Sequence, residues 1–210
     1  MKPSIRNIGF VISLACVTAL GLVSFSACSP RPGSNSTQIP VTTKPPASEE
    51  DIYTVYSAIL LGRYKNRFIL VADRTRTGML SETFAGETIA GMAEETINDY
   101  NEKNRTEAPV RNALSTELRY ALLNDQEREG IHTVLGWREL KKKYPEIRIP
   151  GSTTGGLISF SQVGFNSDGT QALVHVSDAC QGLCASGYFY FLKKQNGDWV
   201  IDASQLTFAS

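Results

Sequence analysis

Asn196-Gly197 separates two runs of strand-forming residues, 186–193 and 199–203. A tight hairpin turn needs positive φ at both central residues. Asn and Gly tolerate that at low cost, so this dipeptide commits the C-terminal end to an antiparallel pair. A second turn signal, Asn166-Ser167-Asp168-Gly169, divides residues 157–165 from 170–177. In the latter run Ala172, Val174 and Val176 alternate with Gln171, His175 and Ser177, the period of a half-buried strand. With 179–185 as a connecting loop, the last third reads as a four-stranded antiparallel meander. Its third strand places Tyr188 and Tyr190 on one face and Phe189 and Phe191 on the other. Aromatic residues on both faces predict a central strand, or a core face backed by an aromatic-lined cleft.

The residues before this meander are mostly helical in pattern. Ser48-Glu49-Glu50-Asp51 has capping-box form. Ile52, Val55, Tyr56, Ile59 and Leu60 then recur at helical spacing, and Gly62 is the expected stop. Residues 67–72, Arg-Phe-Ile-Leu-Val-Ala, suit a short buried strand. A second helix is expected over 86–103, with Ile89, Met92, Ala93, Ile97 and Tyr100 on one face. Residues 118–123 lean to strand, and a last helix runs over 133–143 before Pro145. Helices and one or two short strands, packed on a C-terminal four-stranded antiparallel meander, make the expected class α+β.

The first 47 residues lie outside that pattern. Lys2 and Arg6 precede an uncharged apolar run over residues 8–25, and Ser26-Ala27-Cys28 follows. This is the layout of an export signal over residues 1–27. It is slightly short and too rich in Gly, Ser and Thr for a membrane span, which needs about 20 apolar residues. Phe25-Ser26-Ala27-Cys28 resembles the lipobox of bacterial lipoproteins, which implies that Cys28 is lipidated and becomes the new N-terminus; Phe25 stands where Leu is usual. Ordinary signal cleavage and a retained anchor are the alternatives. Each buried lipid methylene contributes about 0.8 kcal/mol, so an acylated terminus holds a domain at a bilayer surface. Residues 28–47 follow as a Pro-, Ser- and Thr-rich tether with only Ile39 and Val41 as sizeable apolar side chains, too few to offset ordering entropy. Residues 48–210 form the single domain, expected outside the cytoplasm in a bacterial cell envelope.

Charge narrows the partners. Loss of residues 1–27, which carry Lys2 and Arg6 and no acid, leaves 19 basic against 21 acidic side chains. A balance of −2 supplies no basic face for nucleic acid and no polybasic membrane patch. The membrane partner is therefore reached through the lipid.

The domain carries few groups with reactive chemistry. Cys180 and Cys184 remain as a lone pair after Cys16 is lost with the signal. In an exported chain they read as a structural disulfide. A redox pair and a metal pair recruiting His175 are the alternatives, but the spacing is not Cys-x-x-Cys and it crowds every metal ligand onto one hairpin. His132 and His175 are the only histidines. A triad of His175, Asp178 and a serine can be drawn, yet no Gly-x-Ser-x-Gly elbow fixes it, and His175 reads as a solvent-facing strand residue. Gly151-Ser152-Thr153-Thr154-Gly155-Gly156 lacks the P-loop lysine and precedes a strand, so it reads as a connection. Glu94, Glu95 and Asp99 read as a solvated helix face, and Lys141-Lys142-Lys143 as charge complementing a helix C-terminus. No cofactor and no metal are implied.

Three segments share a recognisable pattern: residues 161–174, Ser-Gln-Val-Gly-Phe-Asn-Ser-Asp-Gly-Thr-Gln-Ala-Leu-Val; Cys180-Gln181-Gly182-Leu183-Cys184; and the closing Asn196-Gly197-Asp198-Trp199. Together they resemble a family of uncharacterised bacterial exported proteins with a VGFN-DGTQALV … C-GLC … NG-W signature. The resemblance covers about residues 134–201 and departs from the pattern at His175 and Gln181. It implies an envelope location and no activity. Two functions stay open: a lipid-anchored binding or interaction module, and an envelope hydrolase with its site in a pocket between sheet and helices.

Overall fold

The computed structural model describes residues 47–77, 91–131, 133–147, 156–179 and 185–210. They belong to one compact unit spanning Thr42–Ser210. Four helices occur among the described residues: α1 (Glu49–Tyr64), α2 (Glu94–Lys103), α3 (Asp125–Gly130) and α4 (Val134–Lys143). Seven strands occur among the described residues: β1 (Phe68–Ala72), β2 (Arg119–Leu123), β3 (Leu157–Phe160), β4 (Gly164–Phe165), β5 (Gln171–Ala179), β6 (Ala185–Gln195) and β7 (Asp198–Ala209). All seven form one mixed sheet in the order β2-β1-β3-β5-β6-β7, with β4 paired to β5. β1 runs parallel to both β2 and β3, and the remaining pairs are antiparallel.

This corrects the expected α+β class. The fold is mixed α/β, and the C-terminal strands belong to a large sheet instead of a separate four-stranded meander. The hairpins themselves are where the turns placed them. Asn196 and Gly197 take φ of 52° and 96°, and Gly169 takes 63°. What local turn chemistry does not carry is the parallel half. β1 is buried on both faces, so its side chains read as a continuous apolar run without alternation. Its partners β2 and β3 are distant in sequence, and such pairing leaves no local signal.

Strand parity divides the core. Ile69, Val71, Ile158, Phe160, Ala172, Val174, Val176, Tyr190 and Leu192 point to one face, where α1 packs through Val55, Tyr56, Ile59 and Leu60. Ser48 caps α1: its Oγ accepts from Asp51 N–H at 3.2 Å, and Asp51 accepts from Ser48 N–H at 3.0 Å. The helix runs past Gly62 to Tyr64 and ends where Asn66 turns to φ 66°.

The second face is covered at its two ends by different helices. Leu70, Ala72, Leu123 and Leu157 pack with Trp137 and Leu140 of α4. Leu173, Phe189 and Phe191 pack with Tyr100 of α2. α2 starts at Glu94, later than expected. Gly91 takes φ 84°, Ala93 is extended, and its N–H is taken by Gln171 Oε1 at 2.7 Å. α2 lies so close to β4 that a Cβ on Gly164 would fall 2.5 Å from Tyr100 N. α3 was not expected from the sequence. Asn124 and Glu127 form its capping box, the same device as at Ser48.

Candidate functional site

Between α2 and α4 the second face changes character. A register row crosses four strands there: Ser159 pairs with Ser177, Ser177 with Gly187, and Gly187 with Phe208. Three small residues make a trough where larger apolar side chains would have filled the layer. The neighbouring row carries His175 opposite Phe189. Phe208 lies across Gly187: a Cβ there would sit 2.2 Å from its ring. The trough opens as a recess of about 340 Å³ whose lining includes Arg76, Glu107, Ser159, His175, Ser177 and Phe208. A second recess of about 380 Å³ continues from it, sharing Arg76, Glu107 and Ser159 and bounded by Asp125, Arg128 and Glu129 of α3.

The floor is polar and mostly buried. Ser159 and Ser177 are each 4% exposed and Ser161 3%. Ser161 is engaged: its Oγ accepts from His175 N–H at 2.8 Å and donates to Gln162 O at 3.1 Å. The Ser159 and Ser177 hydroxyls have no hydrogen-bond partner among the described residues. The fully buried side-chain atoms without a partner among the described residues are Asp73 Oδ1, Tyr100 Oη and Trp137 Nε1, so the two serine hydroxyls instead open on the recess and can meet a ligand there.

The remaining groups come from loops that the sheet positions. Arg76 follows β1, held by its N–H donating to Phe160 O at 2.7 Å. Its guanidinium makes no ion pair among the described residues. Glu107 lies in the segment after α2, anchored where Ala108 N–H meets Thr75 Oγ1 at 2.8 Å. His175 pairs through Nε2 with Thr207 Oγ1 at 3.0 Å and packs edge-on to Phe189 with ring centroids 4.9 Å apart. Burial, with the Arg76 charge adding to it, pushes the imidazole pKa down to about 4. The ring is therefore neutral at ordinary pH.

His175 is half-buried in the recess, not solvent-facing as expected. Asp178 is on the opposite face of β5, where it accepts from Tyr64 O–H at 2.6 Å, so a His175–Asp178 triad does not form. Strand parity separates them, since residues three apart point to opposite faces. Glu95 and Asp99 do more than face solvent. Glu95 accepts from Ser167 N–H at 3.1 Å, and Asp99 accepts from Phe165 N–H and Lys103 at 2.7 Å each. Lys143 reaches Glu127 at 2.5 Å, tying α4 to α3. Cys28, Cys180, Cys184, His132 and residues 151–155 lie outside the described residues. Ala179 and Ala185, which flank the 180–184 segment, are direct register partners.

Sequence reading missed Arg76, Glu107, Ser159, Ser177 and Phe208. The available signal was the apolar alternation of β3 and β5, which breaks into serine on one parity only. Seeing it as a site required knowing that β3 and β5 are neighbours.

No protein-family model matches the chain, and neither the curated proteins nor the solved structures yield a match.

Proposed function

We propose that the chain is a binding module of the cell envelope, held to a membrane by lipid on Cys28, whose ligand enters the serine-floored recess of the second sheet face. The observation that carries this reading is the facing pair Ser159 and Ser177 on the floor of the recess, whose hydroxyls have no protein partner among the described residues and open on the recess. Hydroxyls that open on a recess give a polar ligand the groups that fix its orientation.

Catalysis is less well supported. A hydroxyl nucleophile needs a base able to take its proton. His175 with a pKa near 4 is a weak base, and its hydroxyl contact is Thr207 at 3.0 Å, while Ser161 is committed to backbone groups. The imidazole serves better as a fixed polar wall.

The test is a small-molecule fragment screen on the full-length chain, read by protein-detected NMR. Saturable fragments should perturb Arg76, Ser159, His175 and Ser177 together. Fragments that consistently settle elsewhere, such as the groove beside Tyr53 and Tyr56, would overturn the assignment. Membrane attachment is tested separately: Cys28→Ser should release the protein to the soluble fraction, and intact mass should show lipid on a chain beginning at Cys28. An unlipidated mature terminus elsewhere would refute the anchor.

A further inference from the structure

We infer that the recess selects a small monocarboxylate with an apolar or aromatic body, the carboxylate held between the Arg76 guanidinium and the Ser159 and Ser177 hydroxyls. This rests on the binding-module reading and names the chemistry of its ligand.

Three features of the lining set that chemistry. Arg76 is the cation of the 340 Å³ recess, and it has no carboxylate partner among the described residues. A guanidinium presents paired N–H donors in a planar fork, the complement of a carboxylate. Ser159 and Ser177 add two hydroxyl donors on the floor of the same recess. Together these groups offer charge and hydrogen bonds to an oxyanion at one place.

Glu107 sets the charge limit. Its carboxylate shares both recesses with Arg76. In the 340 Å³ recess a doubly charged phosphate would meet one cation and one anion, and across both recesses Arg76 and Arg128 stand against Glu107, Asp125 and Glu129, so its second charge would find no compensation. A single negative charge suits the site better.

Phe208 sets the body of the ligand. It is 43% exposed, and its ring borders the recess beside the His175 ring, with centroids 6.3 Å apart. An exposed phenyl next to a polar floor is an apolar wall awaiting contact. A ligand with its carboxylate on the serines and its apolar part on Phe208 buries both ends.

The experiment titrates the full-length chain with benzoate, benzylamine and inorganic phosphate. The chain has two histidines, so the His175 ring resonances serve as reporter, identified with a His132→Gln variant. Benzoate should shift them saturably. Arg76→Gln should weaken benzoate at least tenfold, and Ser159→Ala/Ser177→Ala should weaken it several-fold with the fold intact by circular dichroism. Glu107→Gln should leave benzoate binding no weaker and should raise the response to phosphate. Benzylamine or phosphate binding as tightly as benzoate at the same resonances would overturn the carboxylate assignment and leave the recess as a binding site. Benzoate affinity unchanged in Arg76→Gln would likewise overturn it. If none of the three probes moves any recess residue, both the ligand class and the recess reading fall.

Discussion

Asp51 receives the indole N–H of Trp199 at 3.1 Å, joining the first turn of α1 to the start of β7 across 148 positions of sequence. The same carboxylate accepts from Lys194 at 2.5 Å and completes the Ser48 capping box. Burial works to raise its pKa, but the bonds from Lys194, Ser48 and Trp199 outweigh it and hold the carboxyl well below the usual range. Asp51 is thus a local cap and a long-range tie at once.

Asp51→Ala should lower the unfolding free energy by about 2 kcal/mol, since it removes a cap and a charge-assisted bond. Urea denaturation measures this. Because the folded pKa is depressed, the contribution is present above the unfolded carboxylate pKa and is lost as pH falls. The variant and the parent should therefore converge in acid. A loss that persists undiminished in acid would show that packing, not charge, dominates.

His175 should make the domain acid-sensitive. Its folded pKa of about 4 lies below the ordinary value of 6.5. The unfolded chain takes up the proton first, so stability falls as pH drops from 6.5 towards 4, by on the order of 2 kcal/mol after allowance for solvent screening. His175→Gln should flatten that window in melting profiles taken against pH. Parallel profiles for the two proteins would show that the imidazole is as hydrated as in the unfolded chain.

Gly136 fixes how α4 meets α3. A Cβ at this position would stand 1.9 Å from Gly130 O. Gly→Ala inside an exposed helix normally stabilises by about 1 kcal/mol. Here Gly136→Ala should destabilise instead, by about 1–3 kcal/mol, because backbone must move. The urea midpoint decides the sign. A stabilised variant would mean the two helices separate freely.

We propose that Cys180 and Cys184 are joined. Their flanking residues Ala179 and Ala185 are register partners on antiparallel β5 and β6. A loop this short constrains the unfolded chain by only about 2 kcal/mol. Non-reducing peptide mapping should find the link, and reduction should leave the core intact. Free thiols in protein from an oxidising compartment would refute it.

The local devices of this fold were legible. Ser48, Asn196-Gly197 and Gly169 each act through their own backbone geometry, and the structure keeps all of them where the sequence put them. The sheet's parallel half was not. β1 shows that a strand buried on both faces loses the alternation that would reveal which residues face which layer. The recess was illegible for a related reason. Ser159, Ser177, Gly187 and Phe208 come from four strands, and a serine on a strand is unremarkable until its neighbour across the ladder is another serine. Asp178 illustrates the converse: close to His175 in sequence, it is removed from it by strand parity.

The claim that Ser159 and Ser177 are kept for a ligand is tested most directly by the thermal stability of Ser159→Ala/Ser177→Ala without any ligand. Hydroxyls that serve the fold cost stability when removed, about 1 kcal/mol for each bond lost. Hydroxyls that serve a ligand have no bond to lose, and their removal relieves partly buried polar atoms. The melting temperature should stay unchanged or rise by a few degrees, with the spectrum of the native sheet retained. A fall of several degrees would show that the pair holds the sheet together, and would contradict the recess as the functional site.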